Sequence, residues 1–279
     1  ATIYDLRFPR IIISMLAGAA IAVSGVLFQA VLKNPLADPG IIGISSGASF
    51  TAVIITAFAP TLYFFTPIAA FAGGVIAFFM VYCLSWKGGL SPMRIILTGV
   101  AVNSLFTGLS SALNSMSGGD RTGVAAIVEA NITQKTWDDV MTLLPYVIAG
   151  LFLAMLFTQE CNLLSLEDKT ARSLGVNVNV TRIVISLVAV LLASISTAVA
   201  GAISFLGLIV PHIGRILVGS DHKMLLPFSA VFGAFTFLLA DTIGRTIAAP
   251  NEVSAAVIMS VVGGPFFILL LRRSGKYGK

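Results

Sequence analysis

Long apolar runs alternate with short polar stretches along this chain, and charge is confined almost wholly to the stretches. Nine runs stand out: Ile11 to Leu32, Ile41 to Ala59, Leu62 to Trp86, Ile95 to Leu113, Met141 to Gln159, Ile183 to Ala200, Ala202 to Val210, Leu225 to Ala248 and Val253 to Leu271. All but the eighth lack Asp, Glu, Lys and Arg. At 1.5 Å per residue, about 20 apolar residues cross a bilayer core about 30 Å thick. Strands of a membrane barrel would be about half as long and would alternate in polarity, which these runs do not. The pattern predicts an all-α polytopic membrane protein of about nine spans. The seventh run is too short to cross alone, so a broken or re-entrant helix is expected there, joined to the sixth by the turn Ala200-Gly201.

Composition sharpens this picture. Apolar residues make up 57% of the 279 and charged residues 10%, against about a quarter charged in an ordinary soluble domain. Hydrocarbon offers backbone groups no partners, which again selects helices that satisfy their own N–H and C=O groups. The polar segments are short, so residues 1–279 are expected to form one transmembrane domain. The opening ATIYDLRFPR lacks the basic start and small-residue cleavage site of a signal peptide, so the spans themselves are expected to drive insertion. Cys83 and Cys161 have no second cysteine or histidine at ligand spacing and are expected to be reduced packing residues.

The basic residues then give an orientation. With the C-terminal tail inside, one face holds Lys33, Lys87, Arg94, Lys169, Arg172, Arg182, Arg215, Lys223, Arg272, Arg273, Lys276 and Lys279, which is 12 of the 17 Lys and Arg. The other holds Arg7, Arg10, Arg121, Lys135 and Arg245. Basic residues flanking spans stay on the cytoplasmic side, so a cytoplasmic C-terminus is expected. Tyr63, Tyr82, Trp86, Trp137 and Tyr146 fall near span ends, where interfacial aromatics belong.

Catalytic chemistry is hard to place. His212 and His222 share one inner segment, the carboxylates are scattered, and no Ser/His/Asp, HExxH or paired-carboxylate arrangement occurs. GGDRTG lacks the Lys and Ser/Thr of a phosphate-binding loop and lies on the outer side. No enzyme activity, metal site or cofactor is expected. Three places invite a functional reading beside a bland one. Lys33-Asn-Pro-Leu-Ala-Asp-Pro-Gly40 must break a helix, because proline removes a donor and disfavours helix in the residue before it. It lines a route or is a simple inner loop. The stretch from Gly207 through Pro211, His212, Arg215, Gly219 and Asp221 leaves the short span at Pro211, could form one or two brief helices, and returns at Leu225. It docks a partner or is a plain hairpin. Asp241 and Arg245, four apart in the outer part of the eighth span, form a local ion pair or leave Arg245 to snorkel toward a partner.

These places also carry a resemblance. RFPRIIISMLAGAAIAVSGVLFQAVLKNPLADPGIIGISSGAS, LTGVA, LLSLEDKTARSLGV, AGAISFLGLIVPHIGRILVGSDHKMLLP, LLADTIGRT and VGGPFFILLL resemble, across nearly the whole chain, the permease family of iron-siderophore, haem and cobalamin ABC importers, the type II importer transmembrane subunits. Members usually have ten spans, so the resemblance implies a first helix upstream of this sequence. It further implies a second permease copy, identical or a paralogue, two ATP-binding cassette ATPase subunits below and an extracytoplasmic substrate-binding protein above. The setting is the bacterial cytoplasmic membrane, and nucleic acid is no partner. On that pattern Pro211, His212, Arg215, Gly219 and Asp221 meet the ATPase. Asn34 and Leu36 lie at the inner gate, and Ser115, Met116, Ser117 and Gly118 near the outer one. Arg7, Arg10 and Arg245 meet acidic residues of the binding protein.

One departure bears on the cargo. Many members carry Trp-x-x-Gly-Ser before the Trp-Asp-Asp segment, where this chain has Glu129-Ala-Asn-Ile-Thr ahead of Trp137-Asp138-Asp139. In this it is closer to Gram-positive haem permeases. The expected function is import of an intact iron chelate, ferric siderophore or haem, by alternating access. Cobalamin import is the alternative, and an ion-gradient-driven transporter a more distant one, since Asp241 is the sole deep acid.

Overall fold

A computed structural model describes residues 3–85, 92–116 and 127–274. After a π-helical turn at Ile3–Arg7 the chain enters α1, Phe8–Leu32. Pro9 in the first turn costs nothing, since its missing N–H is one that a helix start leaves unused. Then follow α2 (Ile44–Phe58), a 3₁₀ turn at Pro60–Phe65, α3 (Thr66–Ser85) and α4 (Pro92–Met116). The second half comprises α5 (Trp137–Leu156), the short α6 (Thr158–Leu164) and α7 (Asp168–Ser173), α8 (Val178–Ala200), α9 (Leu206–Val218), α10 (His222–Ile247) and α11 (Ala255–Ser274).

Among the described residues seven helices are long and apolar enough to cross a membrane, while α2 and α9 are apolar but shorter. The bundle is built around α1 and α8, the two most enclosed spans. α1 packs on α5, α8, α9 and α10; α3 lies between α2 and α8. α4 and α11 sit on the flanks and bury the least. Helices in lipid gain little from hydrophobic exclusion, so close van der Waals contact must hold them. The α1–α10 contact shows this: a Cβ on Gly18 would lie 2.3 Å from the Gly233 carbonyl oxygen. At the α1–α9 contact a Cβ on Gly25 would lie 2.0 Å from the carbonyl oxygen of Gly207.

Helix ends differ from the expected spans where polar residues cap them. α8 starts five residues before Ile183 because the Asn177 side chain accepts from the Val180 N–H. α5 starts at Trp137, where Thr136 and Asp139 form a reciprocal capping box. The second span was expected from Ile41, but helix begins only at Ile44. Gly43, at φ +88°, holds the left-handed turn that precedes it. The seventh run is corrected further: Ala202–Phe205 is not helical, and α9 runs from Leu206 straight through Pro211 to Val218. The chain does not leave its helix at Pro211. At 1.5 Å per residue α9 spans roughly 20 Å, too little for a full crossing, and the non-helical stretch from Gly201 precedes it.

Two non-helical segments therefore lie inside the bundle, residues 33–43 and 201–205, and they touch. A Cβ on Gly40 would sit 2.9 Å from Ser204 Oγ and 3.0 Å from the Ile203 carbonyl oxygen. Cys161 is buried, Cys83 is exposed and both are free thiols.

Candidate functional site

The first segment is organised by its own polar side chains. Lys33, at φ 48°, ends α1 in the left-handed conformation. Asn34 Oδ1 then accepts from the Leu36 N–H at 3.0 Å. Asp38 is fully buried. Its Oδ1 accepts from the N–H groups of Gly40 (2.8 Å) and Ile41 (3.1 Å). Its Oδ2 is turned to Gly207, in the first turn of α9, where the positive end of the helix dipole favours an anion. Asn34 is buried and Leu36 partly so, at the end of the bundle that holds Lys33.

At that end α9 turns into α10 through Gly219, Ser220 and Asp221. Gly219 has φ +86°, a conformation that favours glycine. Asp221 caps α10 by accepting from the Lys223 N–H at 3.0 Å. That bond first, and then one from Asn162 Nδ2 at 2.8 Å, hold its carboxyl below the usual carboxylate range. Asn162 Oδ1 in turn accepts from the His222 N–H at 3.0 Å and lies 2.7 Å from His222 Nδ1. His212 stacks edge-on against Phe266 of α11 at 5.5 Å. Arg215 reaches inward and donates to Gln29 Oε1 at 2.5 Å. Asn162 and Gln29 were missed in the sequence. A lone amide in an apolar stretch has no periodic signature, although Pro211 inside a helix does imply a carbonyl seeking a donor.

The opposite end is held by ions. Arg10 donates to both Asp241 oxygens, with Nη2 at 2.8 Å, and to Glu252 Oε2 through Nη1 at 2.7 Å. Glu252 Oε2 also accepts from Thr133 Oγ1 at 3.0 Å, and Arg245 Nε lies 3.4 Å from Asp241 Oδ2. Burial alone would raise the Glu252 carboxyl, but its bonds from Arg10 and Thr133 outweigh that and lower it. The local Asp241–Arg245 pair is thus present, inside a larger cluster. Arg10 departs from the expectation of an outward-reaching charge: it is 6% exposed and its partners are internal. Arg7 is exposed and Arg245 half-buried. Beside the cluster an open cleft of 480 Å³ runs between residues 128–130 and the start of α11.

Ser115 and Met116 end α4, with Met116 84% exposed. Ser117 and Gly118 lie outside the described residues. Among the described residues no group of three or more His, Cys, Asp or Glu is placed to hold a metal ion.

A bundle of apolar spans with two broken segments meeting in its interior is a polytopic membrane transport protein. The chain belongs to the FecCD transport family, which it matches over residues 1–273. It is 42% identical over 273 residues to the heme-iron transport system permease protein IsdF of Staphylococcus aureus, in strains Newman and USA300 among others, covering 98% of this chain and 83% of the relative. Among solved structures it is similar to a metal-chelate type ABC transporter in an inward-facing conformation. That likeness has a TM-score of 0.82 at 28% identity and covers 98% of this chain and 89% of the other. PsaBC from Streptococcus pneumoniae, in complex with Fab, shares the fold at TM-score 0.67 and 18% identity, over 96% and 92% of the two chains.

Proposed function

We infer that this chain is the permease subunit of an ATP-driven importer carrying an intact iron chelate into the cytoplasm, with haem favoured over a ferric siderophore. The 42% identity to a heme-iron permease along almost the whole chain carries this reading. The segment Glu129 to Thr133, where the chain departs from siderophore members, agrees with it. A second permease subunit completes the pathway, and ATP is hydrolysed by separate cassette subunits.

The end bearing Lys33, Arg182 and Arg215 then faces the cytoplasm, as its excess of basic residues favours, and the C-terminus lies on that side. The α9–α10 turn, with His212, Arg215, Gly219 and Asp221, is the surface on which the ATPase acts. Pro211 lies within α9 on the approach to it. Asn34 and Leu36 serve the inner gate. Ser115 and Met116 serve the outer one, together with Ser117 and Gly118. Arg7 and Arg245 face the binding protein.

The test is reconstitution in liposomes with the ATPase and the binding protein loaded with haem. ATP-dependent haem uptake is expected. Arg215→Ala with Asp221→Ala should abolish uptake while the binding protein still docks. Uptake that persists without ATP would favour an ion-gradient transporter, and unchanged uptake in the double variant would remove the coupling assignment.

A further inference from the structure

Pro211 has no N–H, so in α9 the carbonyl of Gly207, four residues back, loses its helical partner. Such a carbonyl in a membrane interior must find a donor elsewhere. It finds one on α1: Gln29 Nε2 donates to Gly207 O at 3.2 Å. The same nitrogen donates to Ala37 O at 3.2 Å, in the broken segment that carries Asn34 and Leu36. The other end of the amide, Oε1, accepts from Arg215 Nη1 at 2.5 Å, in the last turn of α9. Gln29 is 4% exposed, so none of these bonds is shared with bulk water. One side chain thereby joins three parts of the molecule: the helix nearest the proposed ATPase surface, the segment of the proposed inner gate, and the central span.

We propose that Gln29 is a positioning residue that transmits movement of α9 to residues 34–37. The inference rests on the permease reading and deepens it. When α9 is displaced by a partner below, Gln29 cannot keep both Gly207 O and Ala37 O as acceptors unless the broken segment follows. If the segment stays, Gln29 must give up one of the two buried carbonyls, and the Arg215 guanidinium moves off its acceptor with α9. The energetics thus favour concerted motion of α9 and the gate over independent motion. The shape of the contact supports this. Gly25 and Gly207 leave no room for a side chain between α1 and α9, so sliding there is steered by these polar contacts rather than by bulky interdigitation.

The test uses the reconstituted full complex and measures substrate taken up per ATP hydrolysed. Wild type must first show ATP-driven uptake; its absence overturns the permease reading itself and is thereby told apart from failure of this inference. Gln29→Met keeps length and removes every hydrogen bond. It should lower the uptake-to-ATP ratio about tenfold, within the range of measured coupling effects, while ATP turnover stays near wild type. Gln29→Glu keeps an acceptor for Arg215 but loses both donors, and should be as uncoupled as Gln29→Met. An unchanged ratio in both Gln29 variants overturns the proposal. So does parallel loss of uptake and ATP turnover, which marks a merely structural role. If Gln29→Met fails to assemble, the ratio for Gln29→Glu decides alone.

Discussion

Arg10 and Asp241 are 231 residues apart in sequence and share three hydrogen bonds between helix ends that are both buried. Removing one member leaves the other as an uncompensated charge in a poorly polarisable setting. Arg10→Met is therefore expected to cost about 3–5 kcal/mol, read as a lowered melting temperature of the detergent-solubilised protein. Arg10→Met combined with Asp241→Leu should recover most of that loss, since the pair as a whole gains little over apolar packing. If the double variant melts no higher than the single, the pair is not the source of the effect. Little of this was legible in the sequence. The i,i+4 spacing of Asp241 and Arg245 was visible, but nothing local links either of them to Arg10 or Glu252. That is why Arg10 was expected at the surface. Gln29 was silent for the same reason: two of its three partners, Gly207 and Arg215, are defined only once α9 is in place.

Elements were much easier to read than contacts. Charge-free runs of about 20 residues can hardly be anything but spans, and the structure returns helices in each long one. Pro35, Pro39 and Gly40 announced the break after α1. What the runs could not give was where helix resumes, because that depends on Gly43 and Phe205 adopting positive φ, and on Asp38 facing α9 from a distant segment. The short α7 shows an element held by charge rather than by hydrophobic burial. Asp168 accepts from Lys33 at 2.8 Å and from Arg182 at 2.9 Å. The Lys33 bond first, with Arg182 adding to it, holds its carboxyl below the usual carboxylate range. A depressed carboxylate stabilises the fold at pH above its unfolded value and loses that contribution as pH falls through the folded one. Backbone amides of α7 should accordingly lose about threefold in hydrogen-exchange protection below that point, a modest change typical of exposed ion pairs. Asp168→Asn at neutral pH should match acidified wild type. If protection in α7 is the same in Asp168→Asn and wild type at pH 7, the ion pairs do not hold it.

For the molecule as a whole, the two ends present different chemistry to different partners. The end proposed to face outward exposes Arg7 and part of Arg245 beside the exposed acids Asp5, Glu129 and Asp138, while Asp241 is engaged internally. Arg7 thus offers an acidic docking partner an exposed cation. Reversal by Arg7→Glu should slow binding-protein association about tenfold at low salt and much less at high salt, as expected of rim charges. Arg245→Glu should act less cleanly, because it also places a third acid against Asp241. Association measured by surface binding to nanodiscs would check this, and a salt-independent or absent effect would count against this end as the docking face.

The meeting of segments 33–43 and 201–205 also has a consequence in time. A chain is threaded into the bilayer from its beginning, and the carbonyl that Gln29 serves lies 178 residues further on. While the ribosome is still making that stretch, Gln29, Asn34 and Asp38 are already committed to the membrane with their eventual neighbours unborn. They must wait hydrated, or sheltered by the insertion apparatus. The early spans therefore cannot mature one at a time, and their final seating belongs to the last act of biogenesis.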